Sequence, residues 1–265
     1  MIPIVAAVKR ARHRLGYHAN MNHDFTINRA NMTLPEMEQQ HGFTYPSLYR
    51  QLERDGMLAV GEYGPDWYKL VYPTLKDKPT LLLHADDFEL LNIEAVAEAA
   101  DTLRDADDYR QIDPAFRFIP FAQTGAGDHY CFFASSQHNG ETPIVLLWHD
   151  QNEAQYLAKN LHDFVFHMLL NSMADQDTYN EVSDEEFREQ LTKTLDTHAR
   201  YLTARQADVL QTLLARDIID YDVLLPKGRK EAHRGLLTDT ELASLRAELI
   251  PYEKFDSCFA YSTAG

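Results

Sequence analysis

The sequence predicts an α/β fold of the α+β kind: a mainly antiparallel sheet with helices packed on it, followed by an all-helical extension. Three observations carry this prediction. The apolar runs His129-Tyr130-Cys131-Phe132-Phe133 and Pro143-Ile144-Val145-Leu146-Leu147-Trp148-His149 flank Asn139-Gly140. That dipeptide suits a type I′ hairpin turn, in which both central residues need positive φ. Next, Leu161, Phe164, Val165, Met168 and Leu169 recur at helical spacing and give an apolar stripe to lay on the sheet. Last, Ser183, Thr203 and Thr238 each stand three residues before Glu186, Gln206 and Glu241, the signature of a capping box.

Taken in order, residues 1–39 read as a basic arm or lead-in, with Lys9, Arg10, Arg12 and Arg14 behind a short apolar start. Residues 44–54 predict a helix with Thr44 as its cap, Leu48 and Leu52 on one face, and Gly56 as its stop. Residues 67–72 and 80–84 are rich in aromatic and aliphatic side chains and are expected to be strands. Between Asp86 and Asp113 the pattern turns helical, with Ile93, Val96, Ala97, Ala100 and Leu103 on one stripe. Ile119-Pro120-Phe121-Ala122 then leads through Gly125-Ala126-Gly127-Asp128 into the hairpin. After it the chain is expected to be wholly helical, with buried faces at Phe187, Leu191, Leu195 and Leu202, at Val209, Leu210, Leu213 and Leu214, and at Leu242, Leu245 and Leu249. Three short helices alone bury little apolar area. The expected organisation is therefore an arm over 1–39, a sheet domain over 40–172 and a helical extension over 173–265 docked on it.

The residues Ile119-Pro120-Phe121-Ala122, Gly125, Gly127-Asp128, Tyr130, Val145 and the helical run from Phe164 to Leu170 form an ordered set. Upstream stand Gly42-Phe43, Tyr45-Pro46-Ser47-Leu48-Tyr49 and Gly56. This order of features resembles the SUKH (Smi/Knr-like) superfamily, best known for bacterial toxin-immunity proteins. The resemblance covers roughly residues 40–172 and leaves about the first 35 and the last 90 unexplained. It implies a non-enzymatic binding module that occludes a cognate toxin. A signalling or scaffold module, a role the superfamily fills in fungi, is the first alternative. A small hydrolase with an unrecognised site is the second.

The charge balance narrows the partner. The net charge is −16, divided as +2 over residues 1–40, −11 over 41–172 and −7 over 173–265. Nucleic-acid binding needs a basic face to displace phosphate counterions, so a nucleic-acid partner is not expected, whereas a basic protein partner fits. Two cysteines provide no disulfide framework or metal spacing, no apolar run approaches a bilayer span, and the basic residues follow the apolar start rather than precede it. A cytoplasmic protein without membrane contact is expected.

Motifs for catalysis are sparse. His162 and His167 lie on different sides of a helix, and no H-E-x-x-H is present. His129 and His149 lie near strand ends, where Asp128 or Asp150 could meet them as hydrogen-bond partners. Gly125-Ala126-Gly127 lacks the third glycine and the helix of a dinucleotide fingerprint. Ser135-Ser136 lacks the G-x-S-x-G setting. No cofactor, metal or catalytic residue is expected. The acidic stretch 86–113 is the candidate landing surface for a basic partner, with Asp101, Asp105 and Asp108 on one side if the helix continues, and Asp107 beside them. Gly125, Gly127 and Asp128 are the second candidate contact.

Overall fold

The computed structural model describes residues 32–176, 182–224 and 228–262. Most of the expected arm, residues 177–181 after Gln176, and residues 225–227 of the expected helical extension lie outside the described residues.

Helix α1 (Leu34–His41) opens the described chain and buries Leu34 and Met37. The Thr33 amide donates to the Glu36 carboxylate at 2.7 Å, and Pro35 sits in the first turn, where its missing N–H is not needed. Helix α2 (Ser47–Arg54) follows and buries Leu48, Tyr49 and Leu52. Thr44 is not its cap, because the helix starts behind Pro46. Glu38 orients the approach instead, accepting from the Tyr45 amide at 2.9 Å and from Arg50 Nε at 2.8 Å.

Residues 67–72 and 80–84 are not strands. The first run forms the one-turn helices α3 (Trp67–Leu70) and α4 (Tyr72–Leu75). The second is a turn in which Leu82 has φ 53°. Pro73 cannot donate to a ladder, and the apolar side chains found other partners. The Trp67 indole donates to the Val60 carbonyl at 2.9 Å, and the Leu82 amide donates to His198 Nε2 at 3.0 Å. Propensity registered that these residues prefer burial or aromatic contact, which is only part of what makes a strand.

After strand β1 (Glu89–Leu90), the Asn92 side chain caps helix α5 (Ile93–Thr102), which buries Val96, Ala97 and Ala100 as its stripe predicts. The helix stops at Thr102 and does not continue to Asp113. Aspartate side chains take over the backbone there: Asp105 accepts from the Asp107 amide at 2.9 Å and Asp108 from the Arg110 amide at 3.1 Å. Such local bonds compete with the helical ladder.

The sheet is antiparallel throughout. Strands β2 (Phe118–Gln123), β3 (His129–Phe133), β4 (Ile144–Leu147) and β5 (Ala154–Ala158) form its body, with β1 on one edge and β8 (Cys258–Phe259) on the other. The predicted hairpin is present. Asn139 and Gly140 have φ of 50° and 80°, and His138 and Glu141 exchange both backbone bonds at 2.9 Å. A short 3₁₀ turn, Ala134–Ser136, separates β3 from that turn.

Side chains alternate between two cores, as a strand period of two requires. On one face Ile119, Phe121, Tyr130, Phe132 and Ile144 meet helix α6 (Leu161–Ala174). The Phe132 ring lies within 6 Å of Phe43, Tyr45, Tyr49 and Phe121. On the other face Phe118, Cys131, Phe133, Val145 and Leu147 pack with Tyr261, and Phe259 stacks on Phe133 at 5.1 Å. The C-terminal strand thus closes the second core.

Beyond α6 come α7 (Asp184–His198), α8 (Ala204–Leu214) and α9 (Asp239–Leu249), capped by Ser183, Thr203 and Thr238. Leu191, Leu195, Leu210, Leu213 and Leu242 join the same core as α6. The C-terminal part has the predicted helices, but it is not wholly helical. A hairpin of β6 (Ile219–Leu224) and β7 (Lys230–Gly235) stands between α8 and α9. Its signal was in the sequence: Ile219-Asp220-Tyr221-Asp222-Val223 alternates apolar and charged side chains.

Candidate functional site

One end of the sheet gathers most of the residues singled out above. The β2–β3 turn at 124–128, the β4–β5 turn beginning at His149 and the turns after α5 converge there. The Thr124 amide donates to the Asp128 carbonyl at 2.8 Å, and the Asp128 amide donates to Thr124 Oγ1 at 3.0 Å. The Gly125 amide donates to Asp87 Oδ1 at 2.8 Å. The Gly125-Ala126-Gly127 segment is therefore a closed turn, tied by Asp87 to the residues before β1.

Asp128 reaches across to the next turn, where its Oδ1 accepts from the His149 amide at 2.9 Å and lies 2.7 Å from His149 Nδ1. The His149 carbonyl accepts from the Tyr109 hydroxyl at 2.8 Å, which brings the turns after α5 to the same place. Tyr109 is 68% exposed and lies under the Arg110 guanidinium, 5.0 Å from ring centre to Cζ. Neighbouring His129 is pushed down to about 4, first by burial and then by Arg110, so it is neutral near pH 7.

The four candidate aspartates, Asp101, Asp105, Asp107 and Asp108, do not share a helical face. Asp101 stands on α5, with Oδ2 3.3 Å from Gln40 Nε2 and Oδ1 3.9 Å from His41 Nδ1. Asp108 forms a nearly buried ion pair with Arg110 at 2.7 Å. Although burial opposes it, the bonds and charge of Arg110 hold the Asp108 carboxyl below the usual carboxylate range. Asp105 and Asp107 are exposed. Exposed carboxylates of these turns include Asp105, Asp107 and Asp150, and Asp128 is partly buried.

Ligand atoms of Asp128, His149 and Asp150 lie within 4.8 Å of one another, the one such grouping among the described residues. Asp128 Oδ1 is already engaged by two nitrogens of His149, so the arrangement is a hydrogen-bonded brace between turns. Ser135 Oγ likewise serves the backbone, accepting from the Arg117 amide at 2.7 Å. No described helix is long and apolar enough to cross a membrane. Sequence reasoning missed Tyr109 and the Asp108–Arg110 pair. Tyr109 sits inside the acidic stretch, and only its contact with His149 across 40 residues of chain marks it.

Comparison with curated proteins and with solved structures gives no match. A protein-family model does match. Its residues 33–167 include α1, both turns of the sheet end and the first half of α6. That span, half of the chain, fits the SMI1 / KNR4 family (SUKH-1), and the chain belongs to this family.

Proposed function

We propose that this chain is an immunity protein, which binds a cognate basic toxin and neutralises it by occlusion without catalysing a reaction of its own. Membership of the SMI1 / KNR4 (SUKH-1) family carries the reading. The acidic sheet end supports it. Asp105 and Asp107 are exposed a few residues before the exposed Tyr109, and exposed Asp150 follows His149, whose carbonyl accepts from the Tyr109 hydroxyl. An aromatic side chain and several carboxylates thus belong to turns that the Asp128–His149 brace ties together. Gly125 and Gly127 shape the adjoining turn. Asp101 and Asp108 contribute through their neighbours, since both carboxylates are already engaged.

The test is whether the purified chain blocks the activity of a toxin encoded beside its gene, and whether it forms a stable complex with a disarmed form of that toxin. Absence of both overturns the reading. Retention of binding without protection would favour a scaffold role instead.

The exposed carboxylates make a kinetic prediction. Exposed charges act mainly on association, through long-range steering that salt screens. Replacing Asp105, Asp107 and Asp150 together by Asn should slow association roughly 3- to 10-fold at low ionic strength and flatten its salt dependence. The dissociation rate should change little. Stopped-flow mixing at two salt concentrations checks this, and an unchanged rate at both would remove the acidic end from the encounter.

A further inference from the structure

A second surface stands out away from this end. Over residues 61–78 the only buried side chain is Trp67. The indole is pinned by its bond to the Val60 carbonyl and carries a ring of aromatics, with Tyr63 at 4.9 Å, Tyr68 at 5.0 Å and Tyr72 at 5.9 Å. Tyr68 is 73% exposed, Leu70 64% and Tyr63 37%. These are three of the six most exposed large apolar side chains among the described residues. Single exposed apolar residues are ordinary, but several on one rigid platform are the composition of an interface centre.

The charges around it indicate what it takes. Within the excursion Glu62, Asp66 and Asp77 balance Lys69, Lys76 and Lys78, so it carries none of the overall −16. Beyond it, burial raises the hydroxyls of Tyr63 and Tyr72, and Glu89 and Glu186 add to the rise. The lysine facing Tyr72, Lys193, is held by both Asp77 and Glu189. A charge-neutral aromatic centre within an acidic molecule complements an apolar knob flanked by Arg or Lys. A second copy of this chain would bring a second −16 against the first and is disfavoured on that ground.

We propose that the Trp67 platform, with Tyr63, Tyr68 and Leu70 as its contact side chains, is an anchor surface for the basic toxin. This rests on the immunity reading and adds to it the place where the complex is held. Glu89 connects the two surfaces: it acts on Tyr63, and its carboxylate accepts from Gln123 Nε2 at 3.0 Å at the end of β2.

The test uses the full chain carrying Tyr68→Ala and Leu70→Ala, measured against the disarmed toxin encoded beside its gene. Both side chains are mostly exposed, so the melting temperature should stay within about 2 °C of wild type. Binding should weaken at least 30-fold by the order of hot-spot effects, chiefly through faster dissociation and with unchanged salt dependence. Equal affinity of variant and wild type would overturn the anchor while leaving the immunity reading intact. Failure of the wild-type chain to bind would overturn both. A wild-type dimer in sedimentation that the double substitution dissolves would assign the platform to self-association and overturn the toxin as its occupant.

Discussion

Replacing Gly235 by Ala should destabilise the protein by about 3 kcal/mol or more, in the range of severe backbone and packing defects. Gly235 ends β7 where that strand runs against the C-terminal end of α6. A β-carbon there would overlap the Ala174 carbonyl group, with the Met173 carbonyl close behind. Neither obstacle is a flexible side chain that could swing aside. Relief requires the two backbones to part, which strains the Leu236 amide bond to the Met173 carbonyl at 2.7 Å and the Gln176 amide bond to the Arg234 carbonyl at 2.6 Å. It also loosens Leu236 and Leu237, which are 1% and 0% exposed. A chain of this size loses roughly 2–4 °C of melting temperature per kcal/mol, so a drop of about 6–12 °C is expected. Hydrogen exchange should show the loss of protection concentrated in residues 219–224 and 230–237. Gly64→Ala is the control, because a β-carbon at Gly64 meets nothing within 4 Å. A Gly235→Ala variant that melts with wild type would show that β7 does not lie against α6 in this way.

Acid should unfold the protein from an unusually high pH, because several histidines are buried in their neutral form. Burial pushes His84, His129 and His198 down to about 4, and His167 to about 3. His198 shows the cause most clearly. It is fully buried, its Nδ1 faces the Thr194 carbonyl at 2.8 Å and its Nε2 accepts from the Leu82 amide at 3.0 Å. A proton on Nε2 would set two donors against each other. Below the ordinary histidine value of 6.5 the unfolded chain takes up protons that the folded chain refuses. Stability is therefore full above about pH 6.5 and falls as pH drops toward 4, by up to on the order of 3 kcal/mol for a histidine shifted this far. Asp163, whose carboxyl burial raises, works in the opposite direction. Denaturant melts between pH 7.5 and 4.5 should show the decline. His198→Gln keeps an acceptor for Leu82 without titrating, and should reduce the slope by about one proton. A variant with the wild-type slope would mean that His198 is not part of the acid response.

Much of the candidate site could be located from the sequence, but not its chemistry. The turn at 124–128 and the acidic stretch both reach the sheet end, where Asp128 meets His149 as strand-end neighbours can. The even row of Asp101, Asp105 and Asp108 dissolved because aspartate side chains captured the backbone after Thr102. No spacing rule distinguishes an aspartate that points to water from one, like Asp108, that is bound by an arginine two residues on.

Elements whose signals are local are legible in the sequence. Asn139-Gly140 could adopt the two positive φ values its turn requires, and Ser183, Thr203 and Thr238 capped the helices they precede. The run from Leu161 to Leu169 formed the helix its spacing predicts, although Phe166, His167 and Leu170 are buried as well and not one face alone. Tertiary structure decided whatever depended on distant partners. Residues 67–72 and 80–84 carry strand-like composition, yet Trp67 went to Val60 and Leu82 to His198, 116 residues away, so no ladder formed. Cys258-Phe259 is too short to announce a strand. It became one because β5 offered an unpaired edge and the ring of Phe133 an uncovered face. Local signals fix a backbone only where the residues that satisfy it lie within a few positions. Where the satisfying groups come from across the chain, the packed core chooses among the conformations the sequence allows.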